Sequence, residues 1–528
     1  MTGVRISRTH QLTRTALGAL SGLLAVGAAL SAAELAAGAL RPQAAPVVAV
    51  GGVTIDRTPA AVKDWAIRSF GTNDKLVLQL GILLVLGLLA NGLGLLALRH
   101  RRAGAAGVFV FGVVGAVAAL SRPDSAGVLD AVPSLVGALA GAALLWILTG
   151  RLKHLSSAAV SQSGGVRGRR RFLLVAASAA ATSAAAGSLG RALGSSAGDQ
   201  AVASRTAVRL PLPDSPARAV PRGAALRIAG ISPFVTPNTA FYRVDTALVV
   251  PKVDATRWRL RVHGRGVSRP MDLGFQDLLR RELVERDITL TCVSNEVGGP
   301  YAGNARWLDV HLADLLREAG VRPPSQGGPA DQLVSRSVDG MTIGTPVEQV
   351  MDGRDALLAV GMNGEPLPLQ HGFPVRMVVP GLYGYVSACK WIADLELTTF
   401  AAYDPYWVQR KWARQAPIKT QSRIDTPKPF ARPKAGTVMV AGVAWAQHRG
   451  VERVEVRVDD GPWRDADLAA QATTDTWRQW SLSWQATPGP HTLTVRATDG
   501  TGAVQTARRA RTIPDGASGW HSVVITVD

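Results

Sequence analysis

Two kinds of hydrophobic pattern divide the chain. Uncharged apolar runs occupy 15–33, 76–98, 103–121, 131–150 and 172–190, each near the ~20 residues that cross a bilayer core. Leu76–Leu98 is the strongest, and the fifth is the weakest because Ala177–Ala186 is nearly all Ala and Ser. Glu34 closes the first. Residues 193–222 are small, polar and proline-bearing and read as a linker. From 223 to 405 the apolar runs shorten. Ala247–Val250, Trp258–Val262, Ile288–Cys292 and Val375–Val379 read as strands, and Gly274–Glu285 and Val310–Ala319 as helices, which predicts an α+β domain. Over 406–528 the runs Val438–Ala444, Val451–Val458, Trp480–Trp484, His491–Ala497 and Trp520–Val527 alternate between turn-forming stretches such as Asp459-Asp460-Gly461-Pro462. That spacing predicts an all-β sandwich, with its tryptophans as core.

Charge adds an orientation. The 528 residues carry a net charge of +19, which first suggests nucleic acid. Its placement argues otherwise. Residues 1–171 hold eighteen Lys and Arg against six Asp and Glu, so the most basic segment is also the most apolar. Twelve cations flank one side of the spans: Arg5, Arg8, Arg14, Arg99, Arg101, Arg102, Arg151, Lys153, Arg167 and Arg169–Arg171. Six lie on the other: Arg41, Arg57, Lys63, Arg68, Lys75 and Arg122, partly neutralised by Asp56, Asp64, Asp74 and Asp124. The positive-inside rule puts the N-terminus in the cytoplasm, and five crossings put the chain after about residue 192 outside. The predicted location is therefore the cell membrane, multi-pass, with lipid as a partner, an extracytoplasmic soluble region and no nucleic acid. Arg169-Arg170-Arg171-Phe172-Leu173, before a mildly apolar run, resembles a twin-arginine export signal; an ordinary basic flank is the alternative. His10, His100 and His154 all fall outside the span cores, which argues against haem held between helices.

Two cysteines supply neither a disulfide framework nor a four-cysteine zinc site. Cys292 ends the strand-like run Asp287–Cys292, before Val-Ser-Asn-Glu-Val-Gly-Gly-Pro. Such a thiol is either a small buried hydrophobe or a group facing a cofactor. The surrounding motifs resemble those of the sulfite oxidase family of molybdopterin enzymes. Leu290-Thr-Cys292-Val-Ser-Asn-Glu matches the family's ligand-cysteine motif, and Gly303-Asn-Ala-Arg-Trp307 its G-x-A-x-W element. Met362-Asn-Gly-Glu-Pro-Leu-Pro, His371-Gly-Phe-Pro-Val-Arg376 and Ser387-Ala-Cys-Lys390-Trp391 follow in the family's order. Thr236-Pro-Asn238-Thr-Ala-Phe-Tyr242-Arg243 is similar to the segment bordering the family's pterin and substrate pocket.

The resemblance implies a Mo-molybdopterin cofactor with Cys292 as the one protein ligand of the metal. It implies Asn238, Tyr242, His371, Arg376, Ser387 and Lys390 around the pterin, and Arg243 and Arg306 at the substrate side. Arg306 could equally pair with a neighbouring carboxylate, and Cys389 reads as a packed thiol. The segment Gly442-Val-Ala-Trp445 through Val456 resembles the family's immunoglobulin-like dimerisation domain, which implies a homodimer in relatives. A small-molecule substrate and an electron partner, cytochrome or quinone, are further expectations. Animal members carry F-x-R-N-H and C-x-G-N-R where this chain has Phe241-Tyr-Arg-Val-Asp245 and Cys292-Val-Ser-Asn-Glu296. Fewer cations and two added carboxylates leave open sulfite oxidation, S-oxide or N-oxide reduction, and a non-catalytic tethered binding module.

Overall fold

The structure is a computed structural model describing residues 2–59, 62, 65–66, 69–70, 74–125, 127–158 and 164–528. Of the charges used above for orientation, Lys63, Asp64 and Arg68 lie outside the described residues, as do the side chains of Arg5, Arg8, Asp74, Lys153, Arg167 and Arg169. The side chains of His10 and His154 are likewise outside them. The chain forms two compact units, Met1–Gln200 with Thr246–Val250, and Ala201–Asp245 with Pro251–Asp528.

The first unit is helical. Its long helices are Thr2–Leu40, Asp74–Arg99, Arg101–Leu120, Val132–Ala158 and Gly164–Ala207. All five are long and apolar enough to cross a membrane. Small residues let them approach. A Cβ at Gly22 would collide with the Ala90 carbonyl, and one at Gly94 with the Gly18 carbonyl, so the first two long helices meet backbone to backbone. A shorter helix, Pro46–Arg57, begins with proline, whose missing N–H costs nothing at a first turn. The last helix corrects the linker expectation. It runs to Ala207, through the first part of 193–222, because proline does not appear until Pro211 and Ala, Ser and Leu sustain the turns.

The second unit contains an α+β region and a sandwich. One α+β sheet has the order β2-β1-β10-β5-β6, using β1 (Arg259–Gly264), β2 (Met271–Gly274), β5 (Gln332–Ser337), β6 (Thr342–Pro346) and β10 (Ile392–Thr398). The other has β3 (Leu283–Thr291), β4 (Ala302–His311), β7 (Leu357–Met362) and β8 (Glu365–Pro366), with β9 (Arg376–Val378) also pairing with β7. Helices are shorter than the pattern suggested. Gly274–Glu285 resolves into a single turn, Phe275–Leu279, and the start of β3, because Leu283 and Val284 are buried in the sheet. Likewise Leu312–Glu318 is helical, while Val310 and His311 finish β4. Ala247–Val250 is not a strand.

The C-terminal strands are β11 (Gln421–Thr426), β12 (Gly436–Trp445), β13 (Val451–Val458), β14 (Trp463–Asp465), β15 (Asp467–Leu468), β16 (Arg478–Ala486), β17 (Gly489–Asp499) and β18 (His521–Val527). They form two four-stranded antiparallel sheets, β11-β12-β16-β15 and β14-β13-β17-β18. Val454 and Val456, Leu493, Val495 and Ala497, and Val523, Ile525 and Val527 fill the space between. Trp445 and Trp477 instead join the core of the α+β region, which ties the sandwich to it.

Candidate active site

Cys292 follows β3 directly, in a loop that closes on itself. Its N–H donates to the Tyr301 carbonyl at 2.9 Å, and the Asn295 N–H donates to the Cys292 carbonyl at 3.0 Å. Asn295 Oδ1 accepts from the Tyr301 N–H at 2.8 Å. The sandwich braces this loop. Gln447 Nε2 donates to the Thr289 carbonyl at 2.9 Å and to Thr291 Oγ1 at 3.0 Å. The Trp477 N–H donates to Thr289 Oγ1 at 2.8 Å, and Arg423 donates to the Gly299 carbonyl at 2.8 Å. Gly298 has φ +80°, and a Cβ there would run into the His521 ring. The thiol is thus fixed from both sides of its loop.

The Cys292 side chain is buried, and burial pushes its pKa up, against hydrogen bonding by Ser294 and the charge of Lys390. A bound soft cation reverses that balance and holds the thiolate. Among the described residues no group of three or more His, Cys, Asp and Glu forms a metal cluster. The donor chemistry therefore fits a metal that takes one protein sulfur and draws its other ligands from a cofactor.

Segment 236–245 forms a second wall. Phe241 stacks on Tyr242 with centroids 5.2 Å apart, and meets the edges of Trp307 at 5.9 Å and His371 at 5.6 Å. Gly303 makes room, since a Cβ there would lie 2.9 Å from the Phe241 ring. Burial and the neighbouring Cys292 push the Tyr242 phenol up, which leaves it a proton donor. His371 Nε2 lies 3.2 Å from the Asn238 carbonyl, which assigns the donating proton to that nitrogen. Burial, with Arg376 and Lys390 nearby, lowers the His371 pKa to about 4, so the imidazole is neutral at neutral pH. Gly372 follows with φ +112°, where a Cβ would sit 3.0 Å from Arg376 Cβ and 3.2 Å from Lys390 Cα. Only glycine suits both the backbone and the approach.

Arg376 is 5% exposed. It donates to the His371 carbonyl at 3.2 Å and lies over the Trp307 ring at 5.2 Å, while its Nε has no partner. Burial lowers its pKa to about 10, so it stays cationic. A buried cation with an unused donor suits a phosphate oxygen. Lys390 Nζ donates to Asp245 Oδ2 at 2.7 Å, and Arg243 Nε to the same oxygen at 2.8 Å. Burial lowers the Lys390 pKa to about 8 despite Asp245.

The structure therefore brings Cys292, Tyr242, His371, Arg376 and Lys390 into one electrostatic neighbourhood, with Asn238 and Arg243 tied to its rim. Ser387 Oγ lies 3.0 Å from the carbonyls of both Leu382 and Tyr383, at a buried turn. Arg306 takes the carboxylate alternative. Its guanidinium forks onto Asp287 at 2.9 and 2.8 Å, directly across β3 and β4, with Glu285 at 3.7 Å. Cys389 is a buried thiol with its pKa pushed up to about 12.

Three contributors escaped the sequence reading. Asn363 links the walls: Nδ2 donates to the Thr236 carbonyl and Asn238 Oδ1, and Oδ1 accepts from the Arg306 N–H. Its φ of +52°, a conformation asparagine tolerates, was the available clue in Asn363-Gly364. Trp307 supports Arg376, which the G-x-A-x-W motif contained without stating its use. Asp309 is wholly buried with neither carboxylate oxygen partnered. It pairs with Ala359, whose other neighbour is Arg376, so the three share one row of the sheet. Burial and the charges of Asp355 and Glu285 push the Asp309 pKa well up, against Arg286 and Arg376.

Residues 247–407 match the oxidoreductase molybdopterin binding domain, and residues 421–495 a bacterial Ig domain. The chain is 31% identical over 293 residues to the mitochondrial sulfite oxidase of Mus musculus, covering 48% of this chain and 53% of that one. It is 33% identical over 168 residues to the uncharacterized oxidoreductase YuiH of Bacillus subtilis, covering 31% of this chain and 79% of that one. The sulfane dehydrogenase SoxCD of Paracoccus pantotrophus is a structural neighbour at 24% identity and TM-score 0.49, covering 59% of this chain and 90% of that one. The domain is thus that of a molybdenum-dependent oxidoreductase whose cofactor is Mo-molybdopterin. The chain belongs to the sulfite oxidase family. It spans about half the length of the curated sulfite oxidases it matches.

Proposed function

We propose that this chain is a membrane-anchored oxidoreductase whose catalytic domain lies outside the cytoplasm and which transfers oxygen atoms at a molybdenum ligated by Cys292. The observation that carries the reading is the self-closed, two-sided bracing of the Cys292 loop beside Tyr242, His371, Arg376 and Lys390. When bound, the cofactor supplies two further sulfurs and a metal that cycles by two electrons. The protein supplies the rest. Arg376, with its spare buried donor, and Lys390 hold the pterin phosphate, with Asn238, His371 and Ser387 as neutral polar supports. Tyr242 offers a phenolic proton toward the substrate side. Arg243, 30% exposed on its side chain, presents a cation at the mouth. Arg306 acts by positioning the strand through Asp287.

The reaction direction turns on Asp245. It neutralises one of the two cations it touches, so Arg243, Lys390 and Asp245 together carry one net positive charge. A dianion such as sulfite gains less there than in a purely cationic pocket. This favours, as a second reading, S-oxide or N-oxide reduction by the same site. The five apolar helices and the bias of twelve flanking cations to six support anchoring with the N-terminus inside. Arg169–Leu173 then serves export of a domain folded around its cofactor. A cytochrome or quinone exchanges the electrons, and the sandwich supports a homodimer.

The test is Cys292→Ser, read by molybdenum per chain and by substrate-dependent reduction with sulfite and with sulfoxides. Loss of metal or of all turnover is expected. A fully loaded, active variant would refute the assignment. A native chain that binds no molybdenum would leave only a tethered binding module.

A further inference from the structure

Most hairpins join antiparallel neighbours with about two to five residues. β17 and β18 are such neighbours, yet residues 500–520 separate them. A connection of that length is uncommon and usually functional. This one is held at many points. Gln505 is buried, accepts from Ser422 Oγ at 2.7 Å and donates to the Gly519 carbonyl at 2.8 Å. Ala510 and Ser518 exchange backbone hydrogen bonds at 3.1 and 3.3 Å, and Ser518 Oγ donates to the Arg508 carbonyl at 2.7 Å. The Ala413 N–H donates to the Pro514 carbonyl at 3.0 Å, which ties down the far limb.

What the braced loop displays is charge. Arg508, Arg509 and Arg511 are exposed, and among the described residues none of their guanidinium groups makes a hydrogen bond or ion pair. The loop's one carboxylate, Asp515, is taken by Lys419 at 2.9 Å. Arginines elsewhere in the sandwich meet carboxylates: Arg423 reaches Asp425 at 2.7 Å, Arg449 reaches Asp499 at 2.8 Å, and Arg496 reaches Glu455 at 2.8 Å. The three loop arginines are uncompensated, and they lie next to the Cys292 loop. Arg509 packs on Gly519, where a Cβ would sit 2.8 Å from Arg509 Cδ. Two residues on, the His521 ring packs on Gly298. Burial, with Arg423 and Arg509 nearby, lowers the His521 pKa to about 4, so this link is neutral at neutral pH.

We propose that the stretch 503–511 is the docking surface for a one-electron carrier protein, and that the carrier meets it with clustered carboxylates. The proposal rests on the oxidoreductase reading and gives the kind of electron partner. Guanidinium forks match carboxylates in geometry, and an uncompensated basic patch steers an acidic partner. The way inward is short: Arg509, the His521 ring and Gly298 follow one another from the surface to the loop of Cys292. A bilayer surface fits less well, because 503–511 contains no aromatic residue or leucine to insert. Oxygen transfer from water to a substrate releases two electrons and two protons. Two oxidised carriers take the electrons in turn, and the protons pass to water. In the reductive direction two reduced carriers supply the electrons and water the protons.

The full chain, in nanodiscs of neutral phospholipid, is tested by biolayer interferometry against two probes, an acidic flavodoxin and a basic cytochrome c. Hydrogen exchange maps the footprint. Flavodoxin should bind and cytochrome c should not, binding should fade as salt rises, and protection should centre on 503–511. The triple variant Arg508→Glu, Arg509→Glu, Arg511→Glu should slow association about ten- to a thousandfold. Its three side chains bond nothing in the fold, so it should fold like the native chain. Lys428 and Lys434 are also exposed cations of the sandwich, and Lys428→Glu with Lys434→Glu should associate close to the native rate. Cys292→Ser should bind flavodoxin like the native chain, which separates this test from that of the molybdenum site. No binding of flavodoxin, unchanged binding by the triple variant, an equal loss in the lysine variant, or protection of the loop by anionic vesicles but not by flavodoxin overturns the proposal.

Discussion

Asp245→Asn probes the charge logic of the pocket. In the cofactor-free protein Lys390 has fallen from 10.5 to about 8, so burial, with the repulsion of Arg376 and Arg243, outweighs the attraction of Asp245 by ~3 kcal/mol. Its side chain is 11% exposed and that of Asp245 6%, so solvent screens the pair little. Removing one partner of a buried ion pair costs about 3–5 kcal/mol, and each ~1.4 kcal/mol moves a pKa by one. Lys390 should therefore drop by about two or more, to roughly 6 or below, in the variant. At pH 7 the native trio of Arg243, Lys390 and Asp245 carries one net positive charge. The variant carries the same, because it loses the carboxylate and the ammonium together. At pH 9 the native trio is neutral and the variant remains at one. Between these pH values the rest of the pocket is silent: His371 is neutral above about 4, Arg376 stays charged to about 10, and Cys292 and Tyr242 keep their protons. Sulfate binding to the cofactor-free chain, measured by calorimetry at fixed ionic strength, should weaken in the native protein as pH rises through 8. A charge-assisted hydrogen bond of about 1.5–3 kcal/mol sets that loss at roughly ten- to a hundredfold. The variant, whose Lys390 is already neutral, should stay flat from pH 7 to pH 9. A limb near pH 8 that persists in Asp245→Asn would show that Lys390 does not cause it.

Two further variants test the scaffold. Asp309 has a folded pKa raised above its unfolded value of 3.8, so the folded state keeps a proton that the unfolded chain releases. Stability contributed by that proton is complete below about 4 and lost as pH climbs toward the folded value. Thermal unfolding of Asp309→Asn should therefore fall less with rising pH than that of the native chain, with the two converging in acid; parallel profiles would contradict the assignment. Gly372→Ala places a Cβ at φ +112° within 3.0 Å of Arg376 Cβ. It should cost about 1–3 kcal/mol of stability and lower molybdopterin content, and unchanged loading with an unchanged melting temperature would refute the argument.

How far the molecule was legible depended on how local each constraint is. The long apolar helices were visible because an uncharged run of about twenty residues stands out in any sequence, although their ends were not, since helix continues wherever nothing stops it, as it does to Ala207. The sandwich strands were visible because period-two alternation survives without knowing partners. The active-site motifs were visible because a tight turn or a ligand loop demands particular residues at particular spacings, as at Gly372. What escaped depends on register. Arg306 meets Asp287 only because β3 and β4 pair with those residues opposite one another. Lys390 reaches Asp245 across 145 positions. Asp309 lands in the row of Arg376 after a bulge at Leu308 that no period predicts. The C-terminal sandwich is likewise defined by contacts far apart in the chain. Read from sequence it is a dimerisation domain appended to a catalytic one. Yet Gln447, Trp477 and Arg423 hold the strand and turn on either side of Cys292, and Trp445 and Trp477 belong to the catalytic core. Cutting the chain between the two would leave the Thr289 carbonyl and the Trp477 pocket exposed beside Cys292. The sandwich is part of the scaffold that positions the thiol, whatever it does between copies of the chain.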